Sequence, residues 1–150
     1  MTDSHLHDSH LPDPEREPAF YADVPAKRLV AWVVDAVVIL GLTLLTLPFT
    51  FFAGLFFLPL LWLMLSFAYR AVTLSRRSAT WGMRFMGIEL RDMRGQRLGV
   101  GDAVAHTAIY TVAMAFVLPQ LVSIVMMLIT PRAQGLPDIA LGTAALNRRR

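Results

Sequence analysis

The sequence contains no cysteine, which excludes disulfides, thiolate metal centres and thiol catalysis. Charge is missing from a long internal stretch: between Leu29 and Tyr69 the one side chain expected to be ionised is Asp35. No arrangement of Ser, His and Asp and no metal-ligand spacing stands out. Gly82, Gly87, Gly95, Gly99 and Gly101 lack the spacing and the lysine of a phosphate-binding loop. Neither an enzyme, a resident metal nor a cofactor is therefore expected. A nucleic-acid partner is not expected either, because proximity to a membrane surface accounts for the net charge of +3 and the pI near 10. Residues 1–26 lack an apolar stretch of the kind a cleaved signal peptide needs, and the first apolar run is already span length.

What the chain has in abundance is apolar surface. Hydrophobic residues make up 55% of the 150 positions and the mean hydropathy is +0.52, beyond the requirement of a soluble domain of this size. The sequence reads as an all-α membrane protein. Residues 29–69 suffice for two crossings of a hydrocarbon core about 30 Å thick, at about 1.5 Å per helical residue. Pro48 cannot continue an unbroken helix, so spans are expected near 29–47 and 51–69.

The third apolar region, 103–129, admits two readings. As one helix it is a third span, which leaves Arg132 and the terminal Arg148, Arg149 and Arg150 on the far side. Broken at Pro119, it becomes two short helices, making four spans in all, and returns the C-terminus. Of the 14 basic residues, Arg16, Lys27 and Arg28 precede the first span, seven arginines lie between Arg70 and Arg97, and none is near Pro48. The bias of cytoplasmic loops toward Lys and Arg then places the N-terminus and the long loop inside. It also favours both termini inside.

The segment 1–26 is rich in Asp, His, Ser and Pro and reads as a disordered tail. His5, His7 and His10, with Asp3 and Asp8, lack outer groups to orient them as metal ligands. Residues 70–102 form an interfacial loop, and 147–150 a basic end. Within the loop, Trp81, Met83, Phe85 and Met86 beside Arg84 suit a membrane interface. Ile88–Arg91 and Arg97–Val100 alternate apolar and polar around Met93-Arg94-Gly95-Gln96, predicting a short cytoplasmic β-hairpin. Asp102 is the expected N-cap of the following helix. The loop arginines would face anionic lipid head groups.

Asp35 is the feature that demands a partner, since an ionised carboxylate in hydrocarbon costs several kcal/mol. Arg28 lies on the same helical stripe, about 10 Å away along the axis. Both side chains lean toward the helix N-terminus, so a partner from another element is preferred. Arg84 is the first candidate, followed by Arg70, His106 and Tyr110. Two roles compete: a docking charge that fixes how helices and loop assemble, or a titrating group for proton or cation movement.

Arg28 seven residues before Asp35, the stretch Thr80-Trp81-Gly82-Met83-Arg84-Phe85-Met86-Gly87-Ile88-Glu89-Leu90-Arg91-Asp92, and Leu136-Pro137-Asp138-Ile139-Ala140-Leu141-Gly142-Thr143 resemble the RDD family of small integral membrane proteins. The resemblance covers roughly residues 20–146 and makes Arg28, Asp35 and Asp92 the name-giving residues, with Asp138 a further motif aspartate. Met83 stands where the family commonly has lysine, Pro137 where it has histidine, and Ser78-Ala79 where glycine and a basic residue are usual. The resemblance implies a multi-pass protein of a bacterial inner (plasma) membrane. It also implies a small transporter such as a cation/proton exchanger, which for a chain this small would need a homo-oligomer; the docking reading of the buried charges points instead to an accessory or assembly component of a membrane complex.

Overall fold

A computed structural model of the chain describes residues 9–148. The first apolar run forms α1, Val24–Thr46. It starts behind Asp23, whose left-handed backbone interrupts the preceding turn, and carries Pro25 in its first turn, where the missing N–H costs no helical bond. Its buried residues, Val24, Ala31, Asp35, Ile39 and Thr43, recur every four residues or so and form one inward stripe. Leu29, Val33, Val37 and Leu44 point outward. Only 22% of its most apolar window is buried within the protein, an exposure that fits a lipid surround.

The second span, α2, is Leu58–Arg77 and begins later than the expected position 51. Pro48 ends α1, and Phe51 and Phe52 both adopt left-handed backbone, so two 3-10 turns, Pro48–Thr50 and Ala53–Leu55, occupy the connection. A helix resumes only where Pro59 can sit in a first turn. α2 stops at Ser78, itself left-handed with φ 53°. A five-residue helix, α3 (Trp81–Phe85), follows.

The third region is α4, Val100–Ala115, and α5, Val117–Ile129, with the chain direction bent by 118° between them. The break falls at Phe116, three residues before the proline expected to cause it. Pro119 clashes with the carbonyl four residues earlier, that of Ala115, and is accommodated in the first turn of the new helix. Asp102 lies in the first turn of α4, and Gly99 is the N-cap. Thus α1 and α2 are long and apolar enough to cross a membrane, and the bent pair makes a third span if counted as one.

The expected local hairpin does not form. Strand β1, Ile88–Arg91, pairs antiparallel with the distant β2, Ala144–Asn147, with Ile88 opposite Asn147 and Arg91 opposite Ala144. Between β1 and α4 the predicted turn is present, but residues 97–99 leave the sheet. Ser78 takes both segments: its carbonyl accepts from Leu90 N and its hydroxyl from Leu98 N, each at 2.7 Å.

The tail expectation also changes from Ser9 onward. Leu11 and Tyr21 bury against Ala144 and Leu146 of β2, His10 N donates to Met93 O, and Asn147 donates to the carbonyls of Ala19 and Ala22. Two apolar anchors and a strand edge supply what composition alone withheld. His5, His7, Asp3, Asp8, Arg149 and Arg150 lie outside the described residues. These contacts place both ends of the described chain on one side of the molecule. The largest core cluster, which includes Val24, Ala31, Leu74, Met83, Ile88, Leu90 and Ala103, sits there too.

Candidate functional site

A short helix, α6 (Leu136–Leu141), ends at left-handed Gly142 and brings a second buried carboxylate, Asp138, into the bundle. The first is Asp35. Its Oδ1 accepts from Tyr69 OH at 2.7 Å and from Gly82 N at 2.9 Å, and its Oδ2 accepts from Thr80 Oγ1 at 2.7 Å. Arg70 Nη1 stands 3.8 Å from Oδ2, an ion pair without a hydrogen bond. Charge-assisted bonds of this kind offset the loss of water.

Local sequence explains the convergence. Thr80 is the N-cap of α3, accepting from Met83 N at 3.2 Å while donating to Asp35. Tyr69, from α2, donates to Asp35 and accepts from Trp81 N at 3.0 Å. Gly82 has no room for a side chain: a Cβ there would lie 2.1 Å from the Ala31 carbonyl oxygen. The first turn of α3 thus seats its backbone directly on α1.

Asp138 is fully buried. Its Oδ1 meets His106 Nε2 at 2.9 Å and accepts from Thr143 Oγ1 at 3.0 Å. Its Oδ2 accepts from Arg28 Nη1 at 2.6 Å and Gly135 N at 3.0 Å. Burial alone would raise its pKa. The Arg28 charge, the bond and charge of His106 and the Gly135 amide outweigh that and hold it well below the ordinary carboxylate range. One carboxylate therefore ties α1, α4 and α6 together.

The sequence-predicted residues separate into two buried groups and a surface remainder. Asp35 is brought to Arg70, whose guanidinium also lies over the Tyr110 ring, 4.3 Å from its centroid. Tyr110 OH accepts from Trp32 Nε1 at 2.9 Å. Arg28 and His106 serve Asp138 instead of Asp35. Arg84, the first candidate for Asp35, is exposed. α3 presents its N-terminal backbone to Asp35, which leaves Arg84 at the other end of the helix. Asp92 joins neither group. Its Oδ1 accepts from the backbone N of Arg94 and Gln96, shaping the turn after β1.

Residue-type reasoning did not find Tyr69, Thr80, Gly82, Gly135 or Thr143. Thr80 carried the one available signal, a capping residue immediately before a short apolar helix. Glu89 forms a smaller third node on the sheet. It bonds Arg91, and Arg148 Nε at 3.2 Å. Burial opposes its ionisation, but the two arginines prevail and lower its pKa.

Two long apolar helices, a bent apolar pair and a polar loop buttoned onto them by buried carboxylates define a small integral membrane helical protein. The RDD family model matches residues 23–142, and the chain belongs to that family. No curated protein and no solved structure matches it.

Proposed function

We propose that the protein is a non-enzymatic integral component of a bacterial inner membrane, with a cytoplasmic N-terminus. In this reading its intramembrane charges dock α1, α3, α4 and α6, and it acts as an accessory or assembly element of a membrane complex, with self-association included. One observation carries the reading: each buried carboxylate is occupied by three or four donors from its own chain. A group so occupied is suited to holding elements in register. The bent pair α4 and α5 acts as a re-entrant hairpin, which keeps the C-terminus beside the N-terminus. Arg76, Arg77, Arg84, Arg94 and Arg97 are exposed and face anionic head groups on that side.

Cation/proton exchange through Asp35 is the second reading, favoured by a cavity of about 930 Å³ whose wall includes Asp35 and His106. Arg28 and Arg70 in the same wall disfavour an entering cation. Everted vesicles containing the protein distinguish the two. Docking predicts no dissipation of a pH gradient on adding sodium or potassium, together with reduced abundance of Asp35→Asn. Flux that Asp35→Asn abolishes at unchanged abundance would establish exchange instead.

A further inference from the structure

The cavity of about 930 Å³ lies between α1 on one side and α4 and α5 on the other. Its size is near the upper end for small-molecule sites, about 300–1,000 Å³. Most of its wall is apolar, contributed by Met83, Met114, Ile124, Met127 and others. Two wall residues, Leu29 and Leu128, are 64% and 67% exposed, so the cavity is open to the outside of the molecule between them. The cavity therefore reaches the surface that faces lipid.

Its polar end contains an unusual group. Arg70 is only 8% exposed, yet among the described residues its guanidinium donates no hydrogen bond, and its Nε is buried without a partner. The Asp35 contact at 3.8 Å is too long to serve as one. A buried guanidinium has up to five N–H donors, and leaving them unmade is costly. Arg28 stands in the same wall with one nitrogen on Asp138. The oxygens of Asp35 are committed to Tyr69, Thr80 and Gly82, and that residue is 1% exposed, so it offers an entering anion no direct contact; Asp23, the other carboxylate in the wall, is exposed to solvent, which screens it.

We infer that this cavity binds an anionic phospholipid, with the phosphate accepting from the unspent donors of Arg70 and an acyl chain lying against Ile124 and Met127 and leaving between Leu29 and Leu128. Guanidinium geometry matches phosphate oxygens in pairs, and the apolar walls exclude water from the contact. This is distinct from the exposed loop arginines, whose contact with head groups needs no enclosed site.

The test uses the full chain purified in a mild detergent, with native mass spectrometry and thermal melting. Phosphatidylglycerol should be retained as a one-to-one adduct and raise the melting temperature. Phosphatidylcholine and inorganic phosphate, at matched concentration, should do neither. Arg70→Gln should weaken phosphatidylglycerol retention at least tenfold. Because that substitution also touches the Asp35 pair, Ile124→Trp provides a second variant: it fills the apolar half, should melt as the unliganded protein does, and should lose the lipid response. Equal stabilisation by phosphatidylcholine, a response to inorganic phosphate alone, the absence of an adduct on the unmodified chain, or a full response in Ile124→Trp would each overturn the inference.

Discussion

Gly82→Ala probes the seating of α3 on α1 with a single methyl group. The added Cβ would lie 2.1 Å from the Ala31 carbonyl oxygen and 2.9 Å from Asp35 Oδ1. Relief requires a retreat of about 1 Å, because such contacts are not tolerated below 3.0 Å. The obstacle is helix backbone, which cannot rotate away. A retreat of that size lengthens the Gly82 N–H bond to Asp35 from 2.9 Å beyond hydrogen-bonding range. Overpacking costs about 1–3 kcal/mol, and a lost bond to a charged acceptor about 1.5–3 kcal/mol. Together these give about 2.5–6 kcal/mol, or a fall of about 5–24 °C in melting temperature for a chain of this length. The assay is fluorescence-detected melting in detergent. Gly41→Ala is the control, since Gly41 lies inside α1 with nothing within 4 Å of its built Cβ; it should gain about 0.5–1 kcal/mol of helix stability. A Gly82→Ala protein that melts within a degree of the parent would refute the close seating of α3.

Thr80→Ala removes both the α3 cap and a donor to Asp35, and should cost about 2–3 kcal/mol in the same melt, whereas Thr80→Ser retains both and should cost under about 1 kcal/mol. The pKa of Asp138 is depressed in the folded chain, so its contribution is complete above its unfolded value, near 3.8, and is lost as pH falls below that. The melting temperature should therefore drop steeply below about pH 4, and Asp138→Asn should remove most of that acid-dependent loss, leaving a remainder from Glu89, which is depressed in the same direction. Reporter fusions to the two ends should give the same sidedness, because β2 pairs with β1 and Asn147 bonds the segment before α1; opposite sidedness would exclude that pairing in the membrane.

Hydropathy made the two long spans readable, and the isolation of Asp35 in an apolar run marked it as a residue requiring neutralisation. Its partners were less legible. Arg84 is favoured on sequence because an arginine on an interfacial segment could reach inward without crossing hydrocarbon; of the cations named, Arg70 is the one that stands beside Asp35, at 3.8 Å, while the hydrogen bonds come from a tyrosine hydroxyl, a cap hydroxyl and a backbone amide, types too common in sequence to be singled out. Arg28 illustrates a related limit: its relation to Asp35 is set by helical geometry, whereas its ion pair with Asp138 depends on a fold that returns α6 to the start of α1. The pairing of β1 with the distant β2 has the same origin. Ala144-Ala145-Leu146-Asn147 carries no strand signal of its own and becomes a strand because β1, Leu11 and Tyr21 bury it. Ser78, meanwhile, removes residues 97–99 from the hairpin that their alternation suggested. At Pro119 the chemistry was legible and the position was not, because its clash acts four residues upstream.

A double-mutant cycle on Arg28 and Asp138 tests most directly whether the buried acids are held by charges supplied from within the fold. Each single neutralisation, Arg28→Gln or Asp138→Asn, should destabilise by about 3–5 kcal/mol, because it strands a buried charge. The double variant should fall short of the sum of the singles by about 2 kcal/mol or more, consistent with a 2.6 Å contact. Strictly additive losses, or single variants as stable as the parent, would contradict that assignment.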